Sequence, residues 1–192
     1  MEKMSAQSLR MSVVNLAMSD PAYRNELIKD KAKAVTARFG DQPFKVRVET
    51  EGEKEFAILI PQKTDQLSKA LDRIVRELGD RSPTRSEFDV LVVHRAWTDP
   101  AFLTKLRSNP RAAVTEELGK YNANLPQDAT VRFYEEQPGE CLIVVPPAAD
   151  KAELSKEELE LVAGGNIALI AGAVVGAIAG KVVDKIWPVA MV

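Results

Sequence analysis

Apolar positions along the chain follow two periods. Phe88, Val92 and Ala96 fall at i, i+4 and i+8 and mark one face of a helix. Asp99-Pro100 then starts another. The aspartate can accept free amide hydrogens at the N-cap, and proline at the first helical position forfeits no bond. This helix is predicted over 100–118, with Gly119 as a left-handed C-cap. Thr130 to Tyr134 and Cys141 to Val145 flank the turn-like Gln137-Pro138-Gly139 and read as strand, turn, strand. A charged stretch, Glu153 to Ala163, reads as a final helix. The earlier part of the chain repeats the order. Asp20-Pro21 starts a helix, and Phe44 to Glu49, a turn around Gly52, and Phe56 to Ile60 form the second strand-turn-strand.

The residues recur as well as the pattern. Leu16-Ala17-Met18-Ser19-Asp20-Pro21-Ala22-Tyr23 matches Arg95-Ala96-Trp97-Thr98-Asp99-Pro100-Ala101-Phe102 at an offset of 79. The offset becomes 85 for Val46-Arg47-Val48 with Val131-Arg132-Phe133, and 87 for Leu67-Ser68-Lys69 with Leu154-Ser155-Lys156. Matches in one order with few gaps predict a tandem duplication, about residues 5–78 and 84–163. The expected fold class is α+β: two small helix-helix-hairpin-helix units, followed by a hydrophobic C-terminal peptide, helical or disordered. The expected boundaries are 1–80, 81–165 and 166–192.

Composition changes sharply at Gly164-Gly165. The 165 residues up to that point carry 24 basic and 27 acidic groups. The last 27 residues carry only Lys181, Asp184 and Lys185, and 19 of them are apolar. Gly172, Gly176 and Gly180 are spaced by four, a row along which a second helix or a membrane partner can approach closely. The uncharged run Ile167 to Gly180 spans about 21 Å as a helix, short of the roughly 30 Å hydrocarbon core, so interfacial insertion and oligomerisation stay open beside spanning. Just before the change, Leu154, Leu159, Leu161 and Val162 can share one side of a helix, with Glu158 among them. Such a helix suits an apolar groove on a partner, and two residues without side chains can then enter a narrow protease cleft. The predicted cleavage site is Gly164, Gly165 and Asn166.

Charge and chemistry narrow the function. A net charge of −2 argues against a nucleic-acid binder working by bulk electrostatics. One cysteine and one histidine allow neither an internal disulfide nor a Cys/His zinc site. No secretory signal is read at Met1-Glu2-Lys3-Met4-Ser5, which lacks a continuous apolar run. Cys141 is expected as a buried, inert thiol, His94 as a partly exposed helix residue, and Trp97 as a packing anchor. No catalytic residue, metal ligand or cofactor is expected.

Ala96-Trp97-Thr98-Asp99-Pro100-Ala101-Phe102, Asn109-Pro110-Arg111-Ala112-Ala113 and Leu142-Ile143-Val144-Val145-Pro146 resemble the nitrile hydratase α-subunit-like leader peptides. These are the long leaders of proteusin-type precursors of ribosomally made, post-translationally modified peptides. Glu153 to Gly165 looks like their double-glycine processing signal. The resemblance implies a bacteriocin-like or modified-peptide precursor and not an enzyme, since the metal-binding cysteine cluster of true nitrile hydratases is missing. It implies a cytoplasmic precursor whose leader recruits modification enzymes. A peptidase-containing ABC transporter would cut after Gly165 and secrete residues 166–192, with a target membrane as the product's partner. The first unit, with Arg76-Glu77 where the second has Ala163-Gly164, is expected to stay uncut. The tail has no Ser, Thr or Cys, which excludes lanthionine closure. Backbone epimerisation, N-methylation at Asn166 and acylation of Lys181 or Lys185 stay chemically open. The alternative is a soluble adaptor held to a membrane by its C-terminal glycine-zipper helix.

Overall fold

The computed structural model describes residues 3–147 apart from 53, 80, 81 and 84. An α-α-α-β-β order runs through it twice. The first run is α1 (Ala6–Ser19), α2 (Pro21–Asp30), α3 (Ala32–Phe39), β1 (Lys45–Thr50) and β2 (Glu55–Ile60). After α4 (Asp65–Leu78) come α5 (Arg85–Thr98), α6 (Pro100–Ser108), α7 (Pro110–Gly119), β3 (Thr130–Glu135) and β4 (Glu140–Val145). The α+β class holds.

Asp20 and Asp99 cap α2 and α6 as their Asp-Pro pairs predict. Asp20 Oδ1 accepts from the amides of Ala22 (2.9 Å) and Tyr23 (3.2 Å). Asp99 Oδ1 accepts from those of Ala101 (3.0 Å) and Phe102 (3.1 Å). The helix expected over 100–118 is two helices. Pro110 lacks the N–H that a continuous helix would need, and Asn109 Oδ1 starts α7 by accepting from the amide of Ala112 at 3.1 Å. Gly119 is no left-handed cap: it is the last residue of α7, and the backbone turns left-handed only at Asn122 (φ 54°).

The hairpins are corrected too. β1 does not pair with β2, nor β3 with β4. β1 runs parallel to β4, with Lys45 opposite Glu140 and Thr50 opposite Val145. β2 runs parallel to β3, with Glu55 opposite Thr130 and Ile60 opposite Glu135. Each strand takes its ladder bonds from the other half of the chain. The connections form arches in which a buried carboxylate satisfies the backbone. Glu51 accepts from the Ala57 amide (2.9 Å), and Glu136 accepts from the Leu142 amide (2.9 Å). The ladder ends match in the same way. The Lys45 amide donates to the Gly139 carbonyl (2.9 Å), and the Thr130 amide to the Lys54 carbonyl (2.8 Å). Every one of these bonds recurs 85 residues on, with the roles of the two halves exchanged.

Neither half therefore holds a core of its own. Phe56, Ile58 and Ile60 of β2 and Leu71 of α4 pack with Phe88, Val92, Phe102, Leu106 and Val114. Cys141 to Val145 of β4 pack with Leu9, Val13, Leu27, Val35 and Val48. All six residues of β4 are buried, which suits a strand covered on both faces. α4 lies along α5, where His94 Nε2 and Asp72 Oδ1 meet at 3.0 Å. Val90 and Leu91 of α5 are buried, whereas Met11 and Ser12, 79 residues earlier on α1, are only half-buried.

Candidate functional site

The described body ends just beyond β4, and the start of the C-terminal segment is fastened to the first half. The Val145 carbonyl accepts from the Glu51 amide at 2.8 Å. The Pro146 carbonyl accepts from Arg24 Nη2 of α2 at 2.6 Å. Burial lowers the Arg24 pKa, yet so strong a base stays charged, and a charged donor on a carbonyl makes a firm clamp. Behind it, Arg10 of α1 forms a buried ion pair with Glu136 and donates through Nε to the Leu142 carbonyl at 2.7 Å. Glu136 Oε2 also accepts from the Gln62 amide at 2.8 Å. One carboxylate thus ties α1, β4 and the segment after β2 together.

The two helical layers differ beside this frame. In the second half, Arg95 lies over the Phe102 ring, its Cζ 4.2 Å from the centroid. Its guanidinium pairs with Glu117, with Glu116 at 3.4 Å and with Asp99 Oδ2 at 3.5 Å. Lys105 closes the set on Glu116. In the first half, Leu16 stands where Arg95 does, Ala37 where Glu116 does, and Arg38 and Glu26 where Glu117 and Lys105 do. A hollow of about 270 Å³ opens there, lined by Leu16, Asp20, Tyr23, Glu26, Ala37 and Arg38 among others. The Tyr23 hydroxyl, where Phe102 has none, is buried with no hydrogen-bond partner among the described residues. Burial, then the Glu26 charge, pushes its pKa up to about 12 against the opposing Arg38, so it stays protonated.

Cys141 is fully buried, and its thiol donates to the Ala6 carbonyl at 3.2 Å. Burial pushes that thiol up to about 11, so it is no thiolate at neutral pH. His94 is half-buried against Asp72, and Trp97 packs at the edge of the second core with Lys63 Nζ 6.0 Å over its ring. Gly164, Gly165, Asn166, Leu154, Glu158, Leu159, Leu161, Val162, Gly172, Gly176, Gly180, Lys181 and Lys185 lie outside the described residues. Among the described residues, no group of three or more His, Cys, Asp or Glu could hold a metal ion, and no helix is long and apolar enough to cross a membrane. Sequence reasoning passed over Arg10, Arg24 and Glu136. The available signal was Arg10 itself, a charge sharing the stripe of Val13, Val14 and Ala17.

These features define a strand-exchanged α+β body whose last strand is buried and clamped through Val145 and Pro146. Over 93 residues the chain is 35% identical to Polytheonamide B of Bacterium symbiont subsp. Theonella swinhoei (strain pTSMAC1). The match takes in 45% of this chain and 64% of that protein, so the chain spans a little under two thirds of the curated relative. No family model and no solved structure matches the chain.

Proposed function

We propose that the chain is the precursor of a ribosomally made, modified peptide natural product. The single observation that carries this reading is the similarity to Polytheonamide B, in a chain that changes composition at Gly164-Gly165. Residues 1–165 act as a proteusin-type leader with a doubled nitrile hydratase-like unit, and recruit modification enzymes. A peptidase-containing transporter cuts after Gly165, and residues 166–192 leave the cell as a membrane-active product.

Comparison with α4 supports a free processing segment. At an offset of 87, Leu154, Leu161 and Val162 correspond to Leu67, Ile74 and Val75, but Glu158 stands for Leu71 and Gly165 for Leu78. Leu71 and Leu78 are the buried anchors of α4. A carboxylate and a hydrogen stand in their places, so the leucines that anchor α4 are not repeated at the matching positions. Leu154, Leu159, Leu161 and Val162 then serve a partner's groove.

The test is incubation of the full chain with the peptidase domain of a cognate transporter, read by intact mass. The expected result is release of 166–192 with the first unit uncut. An intact chain, or cleavage near Glu77, overturns the reading.

A further inference from the structure

The second half shows what its helical layer holds at the place where the first half is hollow. There a guanidinium lies over an aromatic ring, with the N-cap aspartate at its edge and acidic groups across from it. The first half keeps the ring as Tyr23 and the N-cap as Asp20. It replaces the arginine with Leu16 and one glutamate with Ala37. Asp20 uses Oδ1 for the α2 amides, as Asp99 does, and Asp99 gives its other oxygen, Oδ2, to Arg95. The charged groups lining the hollow are Asp20, Glu26 and Arg38, a balance that one further cation brings to zero. Tyr23, which lines the hollow, offers its ring as Phe102 does to Arg95.

We propose that this hollow is a binding site for an arginine side chain presented by a partner polypeptide, which takes the place that Arg95 fills in the second half. A guanidinium fits better than an ammonium. Its flat face can stack on the Tyr23 ring while its edge donates to Asp20 Oδ2 and to Glu26. A carboxylate would meet Asp20 and Glu26 as like charges. Tyr23 and Glu26 of the hollow belong to the same α2 whose Arg24 clamps Pro146. The site does not depend on release of residues 166–192, and its test uses no protease.

The probe is the blocked tripeptide acetyl-Gly-Arg-Gly-amide, titrated into the full chain and followed by NMR of the Tyr23 ring and of the Ala22 and Ala37 amides. Saturable shifts are expected, with a Kd on the order of millimolar for a single side chain. Asp20→Asn keeps the Oδ1 cap and removes the charge at the edge of the site, and is expected to weaken binding about tenfold. Leu16→Arg carries the second half's plug into the hollow and is expected to abolish the shifts, with the spectrum elsewhere unchanged. Equal shifts from acetyl-Gly-Gln-Gly-amide or acetyl-Gly-Glu-Gly-amide overturn the proposal, since the hollow would then not select a guanidinium. Tighter binding of free L-arginine than of the tripeptide overturns the polypeptide source. Unchanged affinity in Asp20→Asn overturns the assignment of the site.

Discussion

The two halves share two parallel strand pairs and close their helical layers in opposite ways. Around α5, α6 and α7 the chain supplies its own closure. α4 lies along α5, and Arg95, Lys105 and Lys120 neutralise Asp99, Glu116 and Glu117. Around α1, α2 and α3 the backbone caps are the same, but Leu16 and Ala37 leave a hollow, and Met11 and Ser12 are half-buried where Val90 and Leu91 are covered. The difference lies in side chains and not in architecture. The strand bonds fix the frame twice over, which leaves the first half's helical face free to diverge. The second half is built as support, and the first half presents surface together with the root of the C-terminal segment.

The largest test of this comparison is to separate the halves. Residues 1–80 and 82–165, expressed apart, are each expected to lack cooperative folding, because β2 belongs to the second core and β4 to the first. Circular dichroism and amide dispersion measure this. A folded fragment would mean that one half can pair its own strands, contrary to the registers observed. A smaller break is Glu136→Gln, which strands the buried Arg10 charge and is expected to lower unfolding free energy by about 3–5 kcal/mol in urea titrations. Glu51→Gln removes the matching arch carboxylate. Asp89 stands where Arg10 does, so the Arg10–Glu136 pair is not repeated with the same residues in the second half. Equal losses would show that the arches, and not the ion pair, carry the energy.

Much of this arrangement was legible in the residues. Asp20-Pro21 and Asp99-Pro100 mark helix starts because capping and proline geometry are local. The strands lie within a residue of their expected bounds for the same reason. Their pairing was not legible, because a four-residue connection between two strands suggests a hairpin and the true partner lies far along the chain. The continuous run Cys141 to Val145 was the one warning, since a strand in a half-exposed hairpin would alternate. Asn109-Pro110 is a helix start of the same chemistry as Asp99-Pro100, and reading through it merged α6 with α7. The hollow needed the fold. Leu16 and Ala37 meet only when α1 and α3 pack around α2, and neither residue signals a site by itself.

The caps give a finer comparison. Asp20→Ala is expected to cost about 1 kcal/mol, roughly 2–4 °C in Tm for a chain of this size. Asp99→Ala is expected to cost more, because Asp99 also pairs with Arg95. Equal shifts in differential scanning fluorimetry would show that the Arg95 contact adds nothing to the cap.

The smallest expected effect is on the pH dependence of stability, and it separates the two helical faces. The hydrogen bond and charge of Lys105 hold the Glu116 carboxyl below its ordinary value of 4.5. The Phe102 amide bond, then the Ala101 amide and Arg95, hold Asp99 below its ordinary 3.8. A carboxyl whose native pKa is depressed binds fewer protons folded than unfolded. Its stabilisation is therefore full above the unfolded value and is lost as pH falls through the native one. Urea midpoints measured downward from about pH 6 should hold and then decline below the ordinary carboxylate range. Both groups are exposed, so salt should shrink the decline. Lys105→Met should flatten it by releasing Glu116. The matching change in the first half, Glu26→Met, should leave the decline as it was, because no cation of that half pairs with Glu26 among the described ion pairs. A decline that Lys105→Met leaves untouched would place the acid sensitivity in the shared strand frame and remove the charge network as the feature that closes the second half.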